Sequence, residues 1–147
     1  MAWLRTEPAR VIDELQKIHV RLRSLVGQLE DQAGRAPYPF IQKDLRELEA
    51  AAERSAAAVA ERLAAHGRHA EENGATPPTD GRNAWERLVR LQDGYRALLQ
   101  PLKVLSVRWE EEYPEDASLI AALRDRIVKS RAVVGDLVAR TDPHALD

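Results

Sequence analysis

The sequence predicts an all-α protein built as a four-helix bundle. Apolar residues recur at alternating intervals of three and four through four long segments, which places them on one face of each predicted helix. No segment alternates apolar and polar residues at every second position, as a half-buried strand does. Segments that contain proline separate the four patterns. A bundle is the economical way for four such helices to bury their apolar faces.

The composition is that of one ordinary globular domain. The chain has 147 residues, of which 44% are hydrophobic and 31% are charged. A chain of this length can bury about 68–70% of its unfolded surface in one core, so we expect a single domain over residues 1–147. Its 22 basic and 24 acidic residues give a net charge of −2, which does not favour nucleic-acid binding. The absence of cysteine excludes disulfides and thiolate chemistry.

The first residues do not predict export or membrane insertion. The apolar start at Met1 and Leu4 is interrupted at once by Arg5, Glu7 and Pro8, so the hydrophobic core of a signal peptide is missing. No stretch approaches the roughly 20 apolar residues that span a bilayer. We therefore expect a cytoplasmic protein with no membrane partner.

The first helix is predicted over residues 7–33. Pro8 favours a helix start, because a proline in the first turn loses no intrahelical hydrogen bond, and Gly34 favours an end just after the last apolar position. The apolar face is unusually wide and consists of two adjacent rows. These rows are Val11, Leu15, Ile18, Leu22, Leu25 and Leu29, and beside them Ile12, His19 and Val26.

The second helix is predicted over residues 40–67, after a turn that Pro37 and Pro39 impose. It is rich in alanine, the residue with the highest helix propensity. If the helix ends at Gly67, about 13 residues remain before Asp80, and at about 3.3 Å each they can cross back along the bundle. If the charged residues that follow prolong the helix to Asn73, only an up-down-up-down bundle can form. Both topologies are open at this point.

The third and fourth helices are predicted over residues 81–112 and 117–140. Pro101 lies inside the third, where it removes a backbone hydrogen bond, so we expect one bent helix rather than two. Asp116 or Ser118 is the expected N-cap of the fourth.

Glycines and aromatic residues inside these helices predict features of the packing. Gly27, Gly94 and Gly135 each cost about 1 kcal/mol relative to alanine within a helix, so we expect them where helices approach closely. Trp85, Tyr95 and Trp109 share the apolar face of the third helix. They are predicted to fill the core, and a pocket for a small apolar ligand beside the Pro101 bend is the alternative.

Histidines and acidic residues supply the candidate metal ligands. A carboxylate-bridged metal pair in a bundle core uses a Glu-x-x-His step, and none of the histidines has glutamate three residues before it. The remaining candidates are His19, Glu61, His66 and His69. We favour structural roles for the histidines, since one on an apolar face is usually hydrogen bonded and one near a helix C terminus interacts with the helix dipole. We expect no cofactor, with iron or another divalent metal as the alternative.

Residues 59–67, with the sequence VAERLAAHG, resemble the A-E-R-(I/L)-x-x-L-G ending of the second helix in the Dps branch of the ferritin-like proteins. The resemblance implies a ferritin-like bundle with a long crossover after the second helix and a tendency to self-assemble. It places the family's ferroxidase glutamate on Glu61. Gln42, Arg46 and Ala57 stand where the family's histidine and aspartate are expected. The resemblance therefore implies a divergent scaffold without the usual dinuclear iron ligands, and argues against iron oxidation and DNA binding.

The functional prediction is a non-catalytic helical bundle that self-associates and acts as a structural or protein-interaction module. No nucleophile motif or glycine-rich phosphate loop indicates an enzyme. Apolar residues outside the main faces, such as Leu99, Val104 and Val107, predict a homodimer or a larger homo-oligomer. The alternative is a ferritin-like protein that binds metal or handles iron. It would use His19 and Glu61, together with Glu14 or Glu53.

Overall fold

A computed structural model describes residues 6–72 and 80–144 of the chain. These residues form four helices, which are α1 (Pro8–Arg35), α2 (Pro39–Ala65), α3 (Ala84–Arg108) and α4 (Pro114–Arg140). Within those two ranges there is no strand. The prediction of an all-α four-helix bundle is confirmed.

The helices form two pairs, α1 with α2 and α3 with α4, which pack on each other as two layers. The amide of Thr6 donates to Glu112 Oε1 at 3.2 Å, so the end of α3 lies beside the start of α1. At the other end of the bundle, Gln32 Nε2 donates to the carbonyl of Arg87 at 3.3 Å. α3 is therefore antiparallel to α1 and runs in the same direction as α2, which requires a connection along the length of the bundle.

The end of α2 decides between the two topologies. The amide of Arg68 donates to the carbonyl of Leu63, and that of Gly67 to the carbonyl of Ala64, both at 2.9 Å. These two bonds form a Schellman motif, which needs a residue with positive φ after the C-cap. Gly67 provides it, with φ of 76°. The helix stops here and is not prolonged to Asn73, which lies outside the described residues.

The chain then turns back along α1 as a crossover. Gln16 on α1 holds it by two bonds, donating from Nε2 to the carbonyl of His69 at 2.7 Å and accepting from the amide of Glu71 at 2.8 Å. The side-chain amide of Gln16 thus bonds to the crossover backbone as a neighbouring strand would. The long crossover is the topology of this protein.

The expected end of α1 and the expected cap of α4 differ from the observed ones. Gly34 lies inside the last turn of α1, which continues to Arg35. Asp116 and Ser118 do not cap α4, which begins at Pro114 after an N-cap residue without a side-chain cap bond. Proline in the first turn starts α4 earlier, and this leaves the carboxylate of Asp116 free to form a tertiary ion pair instead.

The start of α3 lies three residues after the predicted one, and its cap explains the difference. The Asn83 side chain accepts from the amide of Glu86 at 2.9 Å and so satisfies one of the free amides of the first turn. From there α3 is one continuous helix through Pro101, as predicted, but it ends at Arg108, four residues before the expected end at residue 112. The bend expected at Pro101 stays a prediction.

Close approach was expected at the helical glycines, and the structure does not support it at Gly94. A Cβ placed on Gly94 would have nothing within 4 Å. The prediction that another helix of the same chain approaches Gly94 closely is therefore wrong. At Gly135 the Cβ would lie 3.1 Å from Nε2 of Gln92. The neighbour there is a flexible side chain of α3, not a helix backbone.

The core is one continuous cluster of aliphatic residues from all four helices, with two large aromatic residues among them. Tyr95 and Trp109 are 1% and 0% exposed. Trp85 is only half-buried, so the expected aromatic row lies in the core at two positions and at its boundary at the third.

Replacing Tyr95 by phenylalanine tests a buried hydroxyl group that the core does not satisfy. The Tyr95 hydroxyl has no hydrogen-bond partner in the described ranges. Burial raises the pKa of this phenol, and the Ser130 hydroxyl lowers it by a smaller amount. The hydroxyl groups of Tyr95 and Ser130 are nevertheless not placed with the geometry of a hydrogen bond. Because an unsatisfied buried hydroxyl is costly, Tyr95→Phe should leave the free energy of unfolding unchanged or raise it by about 1 kcal/mol. A urea titration that shows a loss of about 1 kcal/mol or more would contradict this expectation.

Candidate functional site

A cleft of about 690 Å³ lies between α1, α2 and the crossover. Cavities of about 300–1,000 Å³ are typical of small-ligand sites. The lining residues are His19, Arg23, Val26, Gly27 and Glu30 from α1, Glu53, Ala56 and Ala57 from α2, and Ala70 and Glu72 from the crossover. The lining includes small residues, and its charged residues are exposed to solvent.

His19 is the most buried polar residue of this cleft. It is 8% exposed, and its Nδ1 lies 3.2 Å from the carbonyl oxygen of Glu71. Since a carbonyl only accepts, Nδ1 carries the proton and donates it. Burial lowers the pKa of His19, the bond to Glu71 raises it by less, and Arg23 lowers it further. The imidazole is therefore neutral at pH 7, and Nε2 is left as an acceptor.

The four residues singled out as metal candidates are not brought together. Glu61 is exposed on α2, and the side chain of His69 is exposed on the crossover. His66 faces α4, where its Nε2 lies 2.9 Å from Asp116 Oδ2. Only His19 lies in the cleft. In the part of the chain that the structure describes, no group of three or more histidines and carboxylates is placed to hold one metal ion.

The two glutamates named for the metal alternative have different surroundings. Glu14 pairs with Lys17 at 3.6 Å on the surface of α1. Glu53 is exposed and lines the cleft. Of the two, only Glu53 shares a site with His19.

A polar cluster at the end of α2 was not predicted. The Asp116 carboxylate is 2% exposed. It accepts from Arg62 Nε at 2.8 Å and faces His66 Nε2 at 2.9 Å. Arg62 also donates from Nη1 to Glu115 at 3.0 Å, and its hydrogen bond to Asp116 raises the pKa of the guanidinium. The cluster joins the end of α2 to the start of α4.

Other buried polar residues lie at the opposite end of the bundle, and their bonds are partly local and partly between segments. The Thr141 hydroxyl donates to the carbonyl of Leu137 at 2.6 Å. Asn83 Nδ2 donates to the carbonyl of Pro143 at 2.9 Å. Together with the bond from Gln32 to Arg87, these contacts hold the helix ends and do not converge in the middle of the bundle.

Comparison with known proteins identifies the fold. No protein-family model and no curated protein matches the sequence. Among solved structures, the chain is similar to a mutant of Dps1 from Mycobacterium smegmatis, with a TM-score of 0.76 and 17% identity, covering 89% of this chain and 96% of that chain. This chain has the ferritin-like, Dps-like fold. At such low identity, the similarity concerns the fold alone.

The three positions at which the sequence resemblance implied missing metal ligands have different surroundings in the structure. Gln42 donates to the carbonyl of Ala33 at 3.2 Å, and Arg46 pairs with Glu49 at 3.0 Å. Ala57 lines the cleft and has no ligand atom.

The described helices include none that is long and apolar enough to cross a membrane.

Proposed function

We propose that this protein is a non-catalytic, ferritin-like bundle whose copies associate, so that it acts as a structural or protein-interaction module. The observation that carries the proposal is the exposure of valine side chains on α3. Val107 is 69% exposed and Val104 is 40% exposed. They are three residues apart, which places them next to each other on the helix surface. A second copy packed there would remove their apolar surface from water, worth about 25 cal/mol per Å².

The polar groups of the interior support the non-catalytic part of the proposal. Ferritin-like carboxylate proteins direct metal ligands from facing helices into the bundle core. Here the buried carboxylate of Asp116 is used in an ion pair with Arg62, and the buried amide of Gln32 is bonded to the backbone of Arg87. Buried polar groups that are already paired stabilise the packing and are not available for substrate.

The self-association is tested by light scattering on the purified chain after size exclusion. The wild-type protein is expected to have a mass above that of one chain. Val107→Asp is expected to raise the dissociation constant of the assembly at least about tenfold, because it would bury an unpaired carboxylate. Ala50 is exposed on α2. Ala50→Asp therefore introduces the same charge on the other layer, and it should have no effect on the dissociation constant. A wild-type monomer, or equal effects of both substitutions, would refute the proposed association.

The alternative is a metal-binding function at His19. It is favoured by the cleft, where the neutral imidazole has an available Nε2 and Glu53 stands on the facing helix. Such a site would not be the dinuclear centre that the sequence resemblance brings to mind, since Gln42, Arg46 and Ala57 provide neither imidazole nor carboxylate. Elemental analysis of protein purified without chelator separates the two functions. Stoichiometric iron, zinc or manganese that is lost in His19→Ala or Glu53→Ala would favour the alternative.

A further inference from the structure

The cleft between α1, α2 and the crossover combines an elongated shape with a charge of one sign. On α1 it extends from His19 to Glu30, which at about 1.5 Å per residue is a length of about 16 Å. Glu30, Glu53 and Glu72 face one guanidinium, that of Arg23, across this length. With His19 neutral, the described lining residues carry two more negative than positive charges. A cleft lined mainly by one sign of charge concentrates ligands of the opposite sign.

The carboxylates of the cleft are available for a ligand. Neither Glu30, Glu53 nor Glu72 has an ion pair or side-chain hydrogen bond with another described residue. They come from three different segments, one each from α1, α2 and the crossover. Their attraction for a cation is therefore not used by the fold itself.

Buried His19 adds a directional acceptor to the same cleft. It is more than nine-tenths buried, and its Nδ1 is used in the bond to Glu71. Its Nε2 has no partner in residues 6–72 and 80–144. Among the described lining residues, carboxylates outnumber the one guanidinium, that of Arg23, and such a lining fits a ligand with several N–H donors.

The spacing of the acceptors distinguishes between an ion and an extended ligand. A divalent metal needs several ligand atoms within about 2.0–2.6 Å of one point, and no such group exists among the described residues. Separated carboxylates instead match positive charges that are separated along one molecule. Val26, Ala56 and Ala57 line the cleft between them and offer apolar contact to methylene groups.

We propose that this cleft binds a linear aliphatic polyamine. Its ammonium groups pair with Glu30, Glu53 and Glu72, and its methylene spacers lie on the alanine and valine floor. His19 Nε2 accepts a hydrogen bond from an N–H of the ligand. The site lies on the α1–α2 layer and is separate from the valine surface of α3.

Calorimetric titration of the full chain with spermidine tests this proposal. Wild-type protein is expected to bind one spermidine per chain. The double substitution Glu53→Gln and Glu72→Gln should weaken binding about tenfold, since two charge pairs are lost. Glu61→Gln is the matched control, because it removes one exposed carboxylate from the same helix outside the cleft. It should leave the affinity unchanged.

A second variant tests the shape of the site without changing its charge. Ala57 is exposed on α2, so Ala57→Phe can fold while its ring occupies the cleft, and it should also weaken binding about tenfold. Circular dichroism shows whether each variant is folded. Equal binding by the wild type, the double variant and Ala57→Phe would overturn the proposal, as would stoichiometric displacement of spermidine by Mn²⁺ at equal concentration. Weaker binding in both variants with Glu61→Gln unaffected would support it.

Discussion

Replacing Asp116 by alanine is expected to lower the free energy of unfolding by about 3 kcal/mol. The Asp116 carboxylate is 2% exposed and accepts from Arg62 Nε at 2.8 Å. Without it, the guanidinium of Arg62 and the imidazole of His66 lose their shared partner in a partly desolvated site. Breaking a buried pair by removing one side is costly for this reason. Urea unfolding followed by circular dichroism measures the change.

Glu115 provides the control for Asp116. Its carboxylate also bonds to Arg62, at 3.0 Å, but is 79% exposed. Pairs exposed to solvent contribute little, so Glu115→Ala should cost less than about 0.5 kcal/mol. Asp116→Asn keeps an oxygen acceptor and should lie between the two. If Asp116→Ala and Glu115→Ala cost the same, burial adds nothing to this ion pair.

Replacing Trp109 by alanine is expected to cost about 4 kcal/mol of the free energy of unfolding. Trp109 is 0% exposed and lies at the C-cap of α3, where its ring belongs to the core cluster. Truncation removes a large buried apolar surface and leaves a cavity that the surrounding helices can fill only in part. Urea titration of both proteins at one pH gives the difference.

Two further variants show whether the loss comes from burial. Val128→Ala is a truncation of an apolar side chain on α4 that is 50% exposed and lies outside the proposed association surface, and it should change the free energy of unfolding by less than about 0.5 kcal/mol. Trp109→Phe retains an aromatic ring and removes an indole N–H that has no partner among the described residues, so it should cost less than Trp109→Ala. A loss below about 1 kcal/mol for Trp109→Ala would show that this ring is not packed as the structure has it.

Local pattern was sufficient for the helices and most of their buried faces. Val11 in α1, Leu45 in α2 and Leu123 in α4 are almost fully buried, because residues at intervals of three and four lie on one side of a helix. The same rule could not find the partner of Asp116. That residue satisfied the sequence rule for an N-cap, whereas its partner Arg62 lies 54 positions earlier in the chain.

The sequence predicted less of the candidate cleft than of the helices. His19 was recognised as a polar residue on an apolar face, and Glu53 was named only as an alternative ligand. Nothing in the sequence indicated that residues of the crossover would complete the wall beside them. Glu72 lines the cleft because Gln16 holds the neighbouring Glu71 against α1.

The amino-acid order by itself determined four amphipathic helices, their approximate ends, and a chain without cysteine chemistry. It left the direction of the third helix open, since stops at Gly67 and at Asn73 both obeyed the local rules. Only the tertiary structure decided the crossover, the cleft that it closes and the ion pair of Asp116. These features depend on side chains from distant parts of the chain, and the periodicity of a single sequence does not record which of them meet.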